Sequence, residues 1–316
     1  MHAFMWKNDT LGGIMPTLTL ADLQAVTRTL LACGATIHEL NCVRKHLSQI
    51  KGGQLAQWLY PATSINLILS DVVGDQLETI ASGMTVPDES TFEEALQILQ
   101  YYDVLDQLPP TVISVLREGA AGHLPETPTA DNPIFKATHN LLLGSNHQSV
   151  VAAAEQAKQL GYHTLILSSQ ITGEAREVAK MFVGIAREIQ QHDHPIPKPA
   201  CVIAGGETTV TLRGHGKGGR NQELALSFVN ELRQTPHGND GIYFLSAATD
   251  GIDGLTDAAG AFAAQPVLEK SLALNLNPSH YLRNNDSYRF FQQTGFLLKT
   301  GATHTNVGDL HILIVN

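Results

Sequence analysis

Apolar residues recur along the chain with two distinct periods. Over Leu20 to Cys33 the residues Leu23, Val26, Leu30 and Leu31 fall at helical spacing, which gives the segment one apolar face and predicts an amphipathic helix. Thr19 and Asp22 stand where a capping box would close the first turn, and Gly34 stands where the chain would leave the helix. Elsewhere the apolar positions gather into short runs bounded by polar turn residues: Ile65 to Leu69, Leu141 to Leu143, Thr164 to Leu167, Cys201 to Ala204, Ile242 to Leu245 and Leu310 to Val315. Each has strand length. Helical patterns over Gln148 to Leu160 and Glu174 to Gln190 separate several of them, and the second leads into the proline-bearing connection HDHPIPKP. Near-continuous apolar strands alternating with helices predict an α/β fold on a mostly parallel sheet covered on both faces.

Periodicity stops over Gly119 to Pro133, where glycine, proline and threonine dominate. A chain of 316 residues is also long for one core, so two domains are expected, 1–132 and 133–316, with a cleft between them. Composition narrows the function. Apolar residues at 43% and charged residues at 16% fit a globular protein. A formal net charge of −10 argues against a nucleic-acid or anionic-membrane surface. Cys33, Cys42 and Cys201 are too scattered for a disulfide framework or a CxxC metal site. With no long apolar run and no leader pattern at MHAFMWKNDT, the expectation is a soluble, cytoplasmic protein.

Candidate chemistry concentrates just after the predicted strands. Gly205 to Glu223 (GGETTVTLRGHGKGGRNQE) follows the run Cys201 to Ala204 and holds Gly205, Gly206, Gly214, Gly216, Gly218 and Gly219 with Arg213, Lys217 and Arg220. Glycine density lets backbone N–H groups approach a ligand, and the helix expected over Asn221 to Glu231 would point its N-terminus at the same place. The segment reads as an anion cradle, with a glycine-rich hairpin carrying exposed basic residues as the alternative. It is not a Walker A loop, since Gly218 follows Lys217. Thr249 to Asp257 (TDGIDGLTD) brings Asp250, Asp253 and Asp257 together, a set suited to Mg²⁺ or to a turn capping the next helix. It is not a calcium loop, because Ala261 stands where the closing acid would be. After a third run, Asp71 and Asp75 in SDVVGD and the pair Ser82-Gly83 suit a proton acceptor and an anion site, although Asp71 equally suits a helix cap. Two patterns carry less. Ser48 with Lys51 and Lys299-Thr300-Gly301 match elements of serine acyl enzymes but lack the middle S-D-N, and His192 and His194 fit a solvated loop.

With these residues in place the chain resembles the class II glycerate 2-kinases, whose C-terminal part is called the MOFRL domain. The segments ATIHELNCVRKHLSQIKGGQLA, LILSDVVGDQLETIASGMTVPD, HNLLLGSN, GGETTVTLRGHGKGGRNQELAL, AATDGIDGLTDAAGAF and THTNVGDLHIL carry the resemblance in the family's order from residue 17 onward. It implies two Rossmann-like α/β domains and transfer of the ATP γ-phosphate to the 2-hydroxyl of D-glycerate, with ATP and Mg²⁺ as cofactors. By the same resemblance Arg220, Asp250, Asp71 and Lys51 are the catalytic residues, and Asp250 and Asp253 hold the metal. Arg44, Ser82, Gly83, Gly205, Gly206, Glu207, Lys217, Gly218, Gly219 and Asn221 line the substrate and phosphate site.

Two departures from the family pattern stand out. Members carry a longer N-terminal portion with a glycine-rich GGGSAL-type loop and an earlier lysine, whereas MHAFMWKNDTLGGIMP has neither. The first domain is therefore expected to be truncated and to expose apolar surface, met by a homo-oligomer or by a complementing N-terminal fragment. Met84 also stands where the family has proline. A truncated ligand-binding product and a hydroxypyruvate reductase are the competing readings. The second needs a dinucleotide fingerprint, and although Gly214, Gly216 and Gly219 have its spacing, no acid follows at the required place.

Overall fold

The computed structural model describes Met15, residues 17–234 and residues 238–316. The chain forms two compact units, one from residues up to Ile68 together with Gln76–Leu141, the other from Leu69–Asp75 together with Leu142–Asn316. The junctions thus lie at residues 68–76 and 141–142, whereas the sequence pattern changes near 132. Among the described residues no helix is long and apolar enough to cross a membrane.

The first unit is built from α1 (Leu20–Cys33), α2 (Ile37–His46), α3 (Gln54–Leu59), α4 (Phe92–Tyr101), α5 (Pro110–Ala120) and the greater part of the strands β1 (Ser64–Leu69) and β2 (Thr138–Gly144), which pair as a two-stranded sheet. Threonine starts three of these helices. Thr19, Thr36 and Thr91 each accept from the backbone N–H three residues on, and Asp22, Glu39 and Glu94 return the bond, satisfying donors the first turn would otherwise leave open. Gly34 ends α1 at φ 82°, as its position predicts. Val26, Leu30, Val43, Phe92, Leu99, Val112 and Leu116 bury their side chains in one cluster. Gly119 is required there, because a Cβ would run into the Phe92 ring.

The second unit continues with α6 (Asn146–Gln159), β3 (His163–Ile171), α7 (Ala175–His192), β4 (Ala200–Gly206), α8 (Arg220–Gln234), β5 (Ile242–Ala248), β6 (Gly260–Ala264), α9 (Gln265–Ala273), α10 (Pro278–Arg283), α11 (Ser287–Thr294), β7 (Leu297–Leu298) and β8 (Asp309–Val315). Its six strands run in the order β3-β4-β8-β5-β6-β7. The α/β class holds, but the expected mostly parallel sheet does not. Only β3 and β4 pair in parallel; β8 lies antiparallel between β4 and β5, and β6 and β7 are antiparallel as well. The physical reason is the connection. For β8 the direction follows from two steps: β7 runs in the sense of β5, since both are antiparallel to β6, and with no helix between β7 and β8 the chain returns in the opposite sense, antiparallel to β5.

Both faces of this sheet are covered, which explains the unbroken apolar run in β4. Cys201 and Ile203 meet Val150, Ala154 and Ala157 of α6, while Val202 and Ala204 join Phe182 of α7 and Leu224 and Phe228 of α8. Phe228 stacks on Phe244 of β5 with ring centroids 4.6 Å apart. The sheet is therefore a fixed platform, and the polar residues at its β4, β5 and β8 edge take their positions from it.

Candidate functional site

The edge of the platform is defined by register. Asp309, the first residue of β8, is paired with Gly206 at the end of β4 on one side and with Ala248 at the end of β5 on the other. Asn146 ties the same point to α6, donating Nδ2 to the carbonyl oxygens of Val307 (2.9 Å) and Asp309 (2.8 Å). Gly205 leaves room for that amide, and Gly206, at φ 149°, passes so close to the Ile171 backbone that a Cβ would collide with it. These two glycines pack the platform.

Arg220 opens α8 directly over Asp309. Its Nε donates to Oδ2 at 2.6 Å and its Nη2 to Oδ1 at 3.0 Å, while Nη1 faces Glu207 Oε1 at 3.0 Å. Burial weakens the guanidinium's hold on its proton, but the bond and charge of Asp309 outweigh it and push the pKa above its ordinary value. Glu207 is pushed upward by burial, with Arg220 opposing and the charges of Asp309 and Asp71 adding to the rise. Asp71 is exposed and accepts from Asn306 Nδ2 at 3.0 Å. The structure thus brings Arg220, Glu207 and Asp71 together, and it adds Asp309 and Asn306.

Asn221 and Asp253 belong to the layer beneath. Asp253 Oδ1 accepts from the Asn221 backbone N–H (3.1 Å) and from its Nδ2 (3.3 Å), and Oδ2 accepts from Gln222 N (2.9 Å) and Nε2 (3.0 Å). The anion at the N-terminus of α8 is therefore this carboxylate, which neutralises the helix end from within the protein. Burial nevertheless pushes Asp253 up to about 6, against the two backbone N–H groups. Asn221 also donates to Asp309 Oδ1 at 2.9 Å. Ser246 donates to Asn221 Oδ1 at 2.6 Å, so His311 Nδ1, 2.9 Å from the same hydroxyl, is the protonated nitrogen.

The glycine-rich loop differs from an open cradle. Arg213 N and Gly214 N donate to Asn285 Oδ1, His215 N to Asn284 Oδ1, Gly216 N to the Asn284 carbonyl and Lys217 N to Asp286 Oδ1. These N–H groups serve the protein itself, and Gly214, Gly216, Gly218 and Gly219 are small because Asn284, Asp286, Ser287 and Asp253 abut them. The triplet with dinucleotide spacing is accounted for by this packing. Lys217 is exposed, with Nζ 4.4 Å from the Tyr288 ring centroid. Asp257 is taken by Lys299 Nζ (2.8 Å) and the Tyr288 hydroxyl (2.7 Å). Asp250, half-buried, accepts from Ile252 N at 2.9 Å.

The remaining expected residues lie in the first unit. Gly52 N donates to Ser82 O at 2.9 Å and Gly53 N to Gly83 O at 2.7 Å, so the KGG and SG segments are stitched through backbone. Ala81, Ser82 and Gly83 are three successive residues at positive φ, a strained turn of the kind that persists only when its surroundings fix it. Ser82 Oγ donates to Asn41 Oδ1 at 2.9 Å, and Lys51 Nζ to Ala81 O at 3.4 Å. Arg44, Ser48 and Lys51 border a cavity of about 450 Å³ under α1. Ser48 Oγ accepts from Ile50 N and Lys51 N, which makes the S-x-x-K segment a turn.

Asp309 and Asn306 are the residues that sequence reasoning missed. Both lie in THTNVGDLHIL, a segment noticed for its family likeness, yet a lone Asp before an apolar strand carries no chemical pattern.

Residues 11–117 match the domain of unknown function DUF4147, and residues 200–309 match the MOFRL family. The chain is 42% identical to D-glycerate 2-kinase of Thermotoga maritima, covering 94% of this chain and 67% of that one, and 41% identical to glycerate kinase of Rattus norvegicus, covering 95% and 64%. It superposes on a crystal structure of glycerate kinase (EC 2.7.1.31) from Thermotoga maritima with a TM-score of 0.85 at 40% identity, over 96% of this chain and 69% of that one. The chain thus spans 64% of the length of the rat relative. The matches cover nearly all of this chain and do not support the expected truncation of its first domain.

Proposed function

The chain belongs to the glycerate kinase family, and from that membership we propose that it transfers the γ-phosphate of ATP to the 2-hydroxyl of D-glycerate, giving 2-phosphoglycerate. The observation that carries this reading is the arrangement at the platform edge: a guanidinium, Arg220, oriented by two bonds to Asp309 and flanked by Glu207. Phosphoryl transfer asks for positioning and charge neutralisation above all, and an oriented guanidinium supplies both. Arg220 then binds the transferring phosphate. Asp71, aimed by Asn306, accepts the proton of the substrate hydroxyl. In the first unit, Lys51 and Arg44 with the Ser82-Gly83 turn serve substrate binding.

Kinases use a divalent ion with the nucleotide, and Mg²⁺ takes one or two carboxylates plus phosphate oxygens. Among the described residues no cluster of three or more His, Cys, Asp or Glu side chains is placed to share an ion. Asp253 does not fit, because its two oxygens accept four N–H groups and it is buried. Asp250 fits as a single carboxylate. When bound, the ion would neutralise phosphate charge. The free thiols of Cys33, Cys42 and Cys201 suit a reducing, cytoplasmic setting.

Incubation with ATP, Mg²⁺ and D-glycerate is expected to yield 2-phosphoglycerate, and Arg220→Ala to lower that rate by about a thousandfold or more, the scale of a catalytic arginine in phosphoryl transfer. NADH oxidation with hydroxypyruvate in place of phosphorylation would sink the reading.

A further inference from the structure

We infer that Asp309 is the positioning residue for Arg220, fixing the guanidinium plane before any substrate arrives. The inference rests on the kinase reading. Asp309 is held on every side: β8 is paired to β4 and β5 at this residue, its carbonyl receives Asn146, and its side chain is fully buried. Its carboxylate makes two bonds to two different nitrogens of Arg220, Nε and Nη2, and one more to Asn221 Nδ2. A single ion pair leaves a guanidinium free to swing, whereas two bonds to one carboxylate fix its plane.

The third contact is of another kind. Glu207 meets Nη1 at 3.0 Å from an irregular loop, and its side chain is 45% exposed where that of Asp309 is 0%. Burial also disfavours the Glu207 charge. One partner is therefore permanent and the other exchangeable. An incoming phosphoryl oxygen takes the place of Glu207 at Nη1 while Asp309 keeps its hold, so Arg220 meets the reacting group without reorientation. Asp309 itself touches no substrate and acts through Arg220.

The test measures kcat and KM for ATP and D-glycerate in the wild type, Asp309→Asn, Arg220→Lys and the double variant, with thermal unfolding of each. Misplacing a catalytic group by about 1 Å costs about a hundredfold, so each single variant is expected to lose about that much in kcat with little change in either KM. The double variant is expected to be no slower than either single one, because the clamp is already broken. Losses that multiply in the double variant, or a loss confined to KM, would overturn the inference. Should Asp309→Asn not fold, Arg220→Lys decides alone: it keeps the charge and lacks the fork, and near-wild-type kcat would overturn the clamp. A wild type with no turnover removes the kinase reading itself, an outcome distinct from any of these.

Discussion

Gln222 donates twice to one oxygen of Asp253: its backbone N–H at 2.9 Å and its side-chain Nε2 at 3.0 Å both reach Oδ2. A residue of the TDGIDG turn thereby caps a helix that starts more than a full strand earlier in the chain. Asp253→Ala removes four accepted bonds and leaves the first-turn donors of α8 buried. The expected loss is about 2 kcal/mol or more, read as a lower urea midpoint. An unchanged midpoint would refute the capping role.

Gly206 and Gly122 both have positive φ but face different surroundings. A Cβ at Gly206 would strike the Ile171 backbone, whereas nothing lies within 4 Å at Gly122. Gly122→Ala should cost about 1 kcal/mol, the strain of the left-handed conformation alone. Gly206→Ala is expected to cost more than about 3 kcal/mol, since backbone must move as well. Paired thermal or urea denaturation distinguishes them.

Two ion pairs differ by burial in the same way. Lys45 and Asp88 meet at 3.0 Å with side chains 9% and 3% exposed, and Lys45→Ala leaves a buried carboxylate that has lost its counter-charge. A loss of about 3 to 5 kcal/mol is expected. Lys299 and Asp257 meet at 2.8 Å near the surface, and Lys299→Ala should change stability by less than about 1 kcal/mol. Equal effects from the two would contradict this ranking.

His311 is fully buried, and burial lowers its pKa from 6.5 to about 4. Its folded-state value lies below the unfolded one, so the neutral ring contributes stability that is complete above pH 6.5 and is lost as pH falls toward 4. The loss is on the order of 3 kcal/mol. His311→Gln should flatten the stability profile in that window. A wild type and variant with parallel profiles would assign the acid lability to other groups.

Local structure was legible from the sequence wherever one rule acted alone. Thr19, Asp22 and Gly34 mark the ends of α1, and the apolar runs at Cys201 to Ala204 and Leu310 to Val315 lie in strands, because capping and burial act on neighbouring residues. Strand direction was not legible. The run Leu310 to Val315 reads the same whichever way it is threaded, and only the helix-free return before it makes it antiparallel. The site was half legible. Arg220 shows as a cation at a helix start, but Asp309, 89 positions away, is joined to it only by the fold. The glycines of the 214–219 loop are ambiguous in sequence for a related reason: smallness needed to pack against Asn284 and Asp286 looks the same as smallness needed to admit a ligand.

The placement of β8 also bears on how the second unit is made. β4 and β5 have no hydrogen bonds to each other; each waits for the strand between them, which lies more than sixty residues beyond β5. As the polypeptide leaves the ribosome, α7, α8 and the flanking strands can gather but cannot close until residues 309–315 have been synthesised. Asp309 is the first residue of that keystone. The same event that completes the core seats the carboxylate under Arg220, so an intermediate with its middle strand missing also lacks an ordered guanidinium.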